Sequence, residues 1–212
     1  MIISSRIRLQ RMLILNIGFI TILSLTGCAH YNARPLKRLN RVITPEIKEQ
    51  SIYFSYYVFK KEDCQYYLDR DVIFEGYQPI QISISNNSEE TFYFSPKSLS
   101  LPSVPIEEVA QKVHTSTAGR AAGYSLAGLF LFPFFIPAIV DGVKSSHANE
   151  KLDTDFNNKS FGEQTINSYT TINGLVFIPV SEYEYNFSFV LTNTKTNKPI
   201  ILSTKKLRHK LN

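Results

Sequence analysis

The chain has 212 residues, a formal net charge of +5, two cysteines and no tryptophan. The charge is unevenly placed. Residues 1–27 hold Arg6, Arg8 and Arg11 and no acid, so without them the balance falls to +2, and the basic character gives no support for nucleic-acid binding. Two cysteines, Cys28 and Cys64, also exclude a disulfide-built scaffold, and residues 28–212 suffice for one domain with a real core.

The basic start is followed by Met12–Leu25, apolar apart from Asn16, Thr21 and Ser24. A basic region, a short apolar region and small residues behind it form a secretory signal peptide, and the run is short for a permanent membrane span. It closes on Leu25-Thr26-Gly27-Cys28. These four residues resemble the lipobox of bacterial lipoproteins: an aliphatic residue, a small one, Gly or Ala, then Cys. The resemblance implies removal of residues 1–27, a diacylglyceryl thioether on Cys28 and acylation of its new amino group. No other cofactor is expected. Several acyl chains hold a protein where one would hold it only reversibly. With Cys28 lipidated no intramolecular disulfide is possible, and Cys64 is expected as a small buried residue. Ala29 follows the cysteine. An Asp there favours inner-membrane retention in such proteins, so Ala29 points to the outer membrane, facing the periplasm or the surface.

Residues 28–50 are expected as the lipidated cysteine and a tether. Arg34, Lys37, Arg38 and Arg41 make the tether basic, and Pro35 and Pro45 disfavour regular structure. The cluster either touches anionic head groups or is a solvated spacer. Residues 51–212 then form the main domain. Ser51–Lys61 is rich in aromatic residues and reads as a strand. Asp63–Gly76 is a short helical or irregular connection. In Pro79–Ser85, Ile80, Ile82 and Ile84 alternate with Gln81, Ser83 and Ser85, the pattern of a half-buried strand. Residues 86–90 form a turn, and Thr91–Ser95 returns with Phe92 and Phe94 inward.

Residues 103–160 interrupt the strands. Ser103 and Pro105 can start a helix, in which Ile106, Val109, Ala110 and Val113 share one face. Ala121–Val140 carries no charge, and as a helix it would match the hydrocarbon thickness of a bilayer. Gly119, Gly123 and Ala127 form a small-residue ridge that admits close helix packing. Three readings of residues 119–143 stand: a transmembrane helix, a buried or self-packed helical hairpin, and a membrane-dipping or oligomerising hairpin. Pro133 and Pro137 favour the hairpins, since each removes a hydrogen-bond donor. A span would instead place the protein in the inner membrane. Ser145 or Ser146 starts the next helix, with Ala148, Leu152 and Phe156 on its buried stripe.

Four C-terminal stretches read as β structure. Gln164–Thr171 is compatible with a strand, Asn173-Gly174 is a turn signal, and Leu175–Val180 is a short apolar strand. Tyr183, Tyr185, Phe187, Phe189 and Leu191 alternate with polar residues, the strongest strand signal in the chain. Ile200, Leu202 and Thr204 define its partner after a polar loop, and a basic tail follows. Short strands on both sides of a helical insertion predict a mainly β fold, an immunoglobulin-like β-sandwich with an apolar α-helical insertion. The order is loosely similar to sandwich domains of bacterial lipoproteins of uncharacterised function. In those, an Asn-rich turn follows a strand like Pro79–Ser85, and a Gly precedes one like Leu175–Pro179.

No catalytic pattern stands out. His30, His114, His147 and His209 lack metal-helix spacing, although His114 and His147 flank the apolar run. Asp63, Asp69, Asp71 and Glu75 cluster in one connection as a cation loop or a capping turn, without EF-hand spacing. The expectation is a non-catalytic binding or structural module of the cell envelope, held to the bilayer through Cys28 and presenting a surface to an envelope protein. The alternative is a membrane-active or oligomerising component that inserts residues 119–143.

Overall fold

A computed structural model describes residues 30–39, 51–115 and 135–204, with backbone alone for 135–145. The lipobox residues Leu25, Thr26, Gly27 and Cys28 lie outside this range, as do Gly119, Gly123, Ala127 and Pro133. The chain divides into two compact units. One holds residues 1–30 and 116–148, of which His30 and a helical stretch from Phe135 are described. The other, residues 31–115 and 149–212, carries both sheets.

The elements run β1 (Ile52–Val58), α1 (Lys61–Leu68), β2 (Tyr77–Asn86), β3 (Phe92–Leu99), α2 (Ile106–Lys112), α3 (Phe135–Lys159), β4 (Gln164–Ile166), β5 (Thr170–Pro179), β6 (Ser188–Asn193) and β7 (Pro199–Ser203). The architecture is mixed α/β: two antiparallel sheets, in the orders β1-β2-β5 and β4-β3-β6-β7, with helices interspersed. Ile80, Ile82 and Ile84 of β2 join Phe92 and Phe94 of β3 and Phe189 and Leu191 of β6 in one core fed by both sheets. Phe189 stands edge-on to Phe54 of β1 at 5.3 Å and to Phe94 at 5.7 Å. This is the ring arrangement that aromatic quadrupoles favour.

A second core lies on the other face of the three-stranded sheet. Cys64 and Leu68 of α1, Val109 and Ala110 of α2, and Leu152 and Phe156 of α3 pack with Leu175 and Phe177. The rings of Phe156 and Phe177 stack at 6.0 Å. Strand β5 therefore sends Val176 and Ile178 into one core and Leu175 and Phe177 into the other. That is why Leu175–Ile178 is continuously apolar, as in strands covered on both faces. The face expected on α2 is the face it buries, although the residue before its first turn is Pro105 and Ser103 makes no side-chain cap.

Several expectations are corrected. Strand β2 is not half-exposed: Gln81 and Ser83 are buried. Asn173-Gly174 is not a turn but the middle of β5, paired with Ser83 and Ile82. The glycine serves close approach instead, since a Cβ there would stand 2.8 Å from the Phe161 ring and 3.0 Å from its Cα. The aromatic alternation from Tyr183 enters a strand only at Ser188; Val180–Glu182 is a 3₁₀ turn and Tyr185 is exposed. No helix starts at Ser145 or Ser146, which lie inside the continuous α3, and Pro137 is the third residue of that helix. Among the described residues no helix is long and apolar enough to cross a membrane.

Replacing Gly174 by Ala is expected to cost about 1–3 kcal/mol, because the methyl group overpacks against Phe161. Gly162→Ala, where nothing lies within 4 Å, should stay within about 0.5 kcal/mol of the parent. Urea midpoints of the two variants measure the contrast; equal midpoints would contradict the close-approach role.

Candidate functional site

The densest polar constellation gathers where the N-terminal segment meets the ends of α1 and α2 and the C-terminal half of α3. Asp69, in the left-handed conformation with φ 52°, ends α1 and turns the chain towards Arg70. Aspartate tolerates that conformation better than most residues. The Arg70 guanidinium lies 5.3 Å from the centroid of the Tyr31 ring, a cation–π contact. Its Nε donates to the Val113 carbonyl at 3.1 Å and its Nη2 to Thr115 Oγ1 at 3.3 Å. One side chain thus ties the end of α1 to the N-terminal segment and to the residues that follow α2.

Residues 31–39, read from the sequence as tether, are fastened to this surface. The Tyr31 hydroxyl donates to Asp155, the Asn32 amide to Asp69 Oδ2 at 3.0 Å, and the Arg34 amide to the Tyr66 carbonyl at 3.1 Å. Tyr31 and Leu36 also pack against the helical core. Asp155 accepts a second charge-assisted bond from Lys159, four residues on in α3, and Lys159 also donates to the Tyr67 carbonyl at 2.6 Å. Lys159 is 7% exposed, so these acceptors satisfy a buried ammonium. Burial, and after it the Asp155 carboxylate, push the Tyr31 hydroxyl above its ordinary 10.0.

Two further pairs close the same region. The Thr115 amide donates to Asn149 Oδ1 at 2.9 Å, and Asn149 Nδ2 returns a bond to the Thr115 carbonyl at 3.2 Å. His114 Nε2 and Asp153 Oδ1 are 2.6 Å apart. Tyr31, Thr115 and Asn149 are the residues at which the chain enters or leaves the sheet-bearing unit, and all three belong to this network. Its carboxylates are engaged with donors, so the arrangement acts as a clamp on chain crossings.

The acidic connection takes the capping role. Asp63 accepts from the Lys60 amide at 2.8 Å and from the Tyr57 hydroxyl at 3.0 Å. Asp71 accepts from the Phe74 amide and pairs with Lys61 at 2.8 Å, and that ammonium holds its carboxyl below the ordinary range. Among the described residues no three His, Cys, Asp or Glu converge as a metal site. Cys64 is buried, as expected, and burial pushes its thiol up to about 12. A separate cleft of about 420 Å³ opens beside Lys97, Val104, Phe161 and Glu163. There Tyr93 and Ser95 donate to Glu163 at 2.9 and 3.0 Å, which lowers its carboxyl.

Sequence reasoning missed Arg70, Tyr31 and Lys159. The four-residue spacing of Asp155 and Lys159 carries a helix-pair signal. Arg70 also pairs with its neighbour Asp69, but nothing local marks its bonds to Val113 and Thr115, 43 and 45 residues away. No protein-family model, no curated protein and no solved structure matches the chain.

Two outcomes follow from the geometry. Lys159→Met leaves the Tyr67 carbonyl without that donor and Asp155 with Tyr31 alone, and should cost about 1–3 kcal/mol, while the exposed Lys195→Met should cost almost nothing. The second concerns pH. The Cys64 thiol is raised in the folded state from its ordinary 9.0 to about 12, so its contribution is complete below pH 9 and is lost as pH rises from 9 towards 12. Denaturant titrations should show stability falling over that window, less steeply in Cys64→Ala. At pH 8 the native thiol should resist a disulfide reagent that reacts at once in urea.

Proposed function

We propose that the chain is a lipid-anchored protein of the bacterial cell envelope whose sheet-bearing unit serves as a non-catalytic binding or structural module. The observation that carries the reading is Leu25-Thr26-Gly27-Cys28 closing a basic and then apolar run. Cys28 is to hold the protein to the bilayer, Ala29 to direct it to the outer membrane, and an envelope protein is its partner. Nucleic acid is not, given the near-neutral charge of residues 28–212. Tyr31, fastened to the domain through Asp155, stands three residues beyond Cys28. Three residues reach at most about 10 Å, so a lipid at Cys28 would hold the domain close to the membrane.

For the domain we propose the immunoglobulin-like sandwich topology. Two features support it: β1-β2-β5 would be strands A-B-E, and β4-β3-β6-β7 would be C′-C-F-G. Helices α2 and α3 would then occupy the connection between strands C and C′. Such a frame offers loops and strand edges to partners, and fold alone does not assign an activity.

The alternative, membrane insertion by residues 119–143, draws support from one observation. Thr115, from which the chain runs on towards Gly119, belongs to the same Arg70 network as Tyr31. The anchor and the uncharged run Ala121–Val140 thus leave the sheet-bearing unit from one place.

Metabolic labelling with an alkyne-bearing fatty acid, followed by fractionation, tests both readings. The parent chain should carry label and sediment with membranes, and Cys28→Ser should lose the label. Release of the unlabelled variant into the soluble fraction makes Cys28 the sole anchor, while retention in the membrane favours the insertion. A parent chain that takes up no label sinks the lipoprotein reading.

A further inference from the structure

We infer that the polar part of the three-stranded sheet's outer face is a binding site for a saccharide that carries an acidic group. The inference does not depend on the lipid at Cys28. The register sets two rows of side chains side by side on that face: Tyr53, Ser85 and Thr171 in one, Ser55, Ser83 and Asn173 in the other. They line a groove of about 410 Å³, which Leu36, Arg38 and Leu39 of the docked N-terminal segment also border.

The chemistry of these rows is specific. Five of the six floor residues bring a hydroxyl and the sixth an amide. Ser55 is 5% exposed and Ser83 8%, and among the described residues neither hydroxyl has a protein hydrogen-bond partner. Each hydroxyl still reaches the groove, so water or a ligand there supplies its hydrogen bond. Asn173 is oriented by its neighbour: Gln81 Nε2 donates to Asn173 Oδ1 at 2.9 Å and to the Lys37 carbonyl at 2.7 Å. The Asn173 carbonyl is thereby engaged, and its amide nitrogen is left to donate to a ligand. Ser85 and Thr171 share one hydrogen bond at 2.8 Å and keep further acceptor capacity.

Hydroxyls that both donate and accept, an amide donor and the Tyr53 ring match a ligand with many hydroxyls of its own. Among the described lining residues the one charged side chain is Arg38, which is exposed. A guanidinium suits a carboxylate or a phosphate, each of which it can hold bidentately. An acidic sugar satisfies both halves of the site. A simple anion would leave the serine rows unpaired, and a neutral sugar would leave Arg38 unused.

Isothermal titration of the full chain tests the assignment with four probes: the disaccharide of N-acetylglucosamine and N-acetylmuramic acid, N-acetylglucosamine 1-phosphate, the neutral disaccharide chitobiose, and inorganic phosphate. At least one acidic sugar should bind ten times more tightly than chitobiose and than inorganic phosphate. Which of the two binds separates a carboxylate from a phosphate ligand. Arg38→Gln, an exposed change that leaves the fold intact, should erase the preference for the acidic sugar. Ser83→Ala should weaken its binding about fivefold or more, with the urea midpoint confirming that the variant is folded. No heat with any sugar, a preference unchanged in Arg38→Gln, or phosphate alone binding as well as its sugar ester would each overturn the assignment.

Discussion

The burial of β5 on both faces is the constraint on which the rest of the fold depends. Val176 and Ile178 enter the core shared by the two sheets, and Leu175 and Phe177 enter the helical core. Each such side chain is worth about 1.5–3 kcal/mol when fully buried, so neither core is dispensable. An uncovered Leu175–Phe177 face would be an exposed apolar patch. Covering it requires α1 from the β1–β2 connection, and α2 and α3 from the β3–β4 connection. The edge of β5 is clasped as well: the Val104 amide donates to the Phe177 carbonyl and the Phe161 amide to the Leu175 carbonyl, both at 2.8 Å. Gly174 belongs to this clasp, because Phe161 can approach only where a Cβ is missing.

What could be read from the chain were the patterns whose cause is local. The face of α2 follows from a period of 3.6 residues, and the isoleucines of β2 follow from a period of two. What could not be read has its cause elsewhere in the sequence. Asn173-Gly174 has the composition of a hairpin turn, and only the approach of Phe161 from outside the strand shows why glycine is needed in a strand interior. Gln81 looks like the solvent side of a half-covered strand, and it is buried because residues 31–39 dock over it. The alternation from Tyr183 is genuine, but the chain between Val180 and Phe187 is occupied by a 3₁₀ turn and bends before it pairs.

The Arg70 junction extends the same lesson to the candidate site. The motif proposed to carry the anchor at Cys28 is contiguous in sequence, whereas the junction is assembled from four separate stretches. Its consequence is mechanical. A basic segment with two prolines would ordinarily be a flexible linker, able to place a domain anywhere within its reach. Here Tyr31, Asn32 and Arg34 are each bonded to the helical layer, so the chain becomes fixed almost at once after the proposed anchor. A lipid at Cys28 would then limit the orientation of the domain at the membrane as well as its distance from it.

The docked segment also explains why the serine rows are more than a polar sheet face. A flat face of Ser and Thr stays hydrated and recognises nothing with much affinity, because each ligand bond replaces one already made to water. Leu36, Arg38 and Leu39 raise a wall beside that face and turn it into a groove, in which Ser55 and Ser83 lose most of their contact with water. In a strand, Val or Thr would be better formers than Ser at such covered positions. Ser55 and Ser83, on the outer face of β1 and β2, sit beside that wall with no protein hydrogen-bond partner among the described residues, so weak strand formers hold positions that packing alone would give to others. Local rules of this kind are broken most often at functional sites, which is why the groove, rather than the fully bonded junction, is the place to look for a ligand.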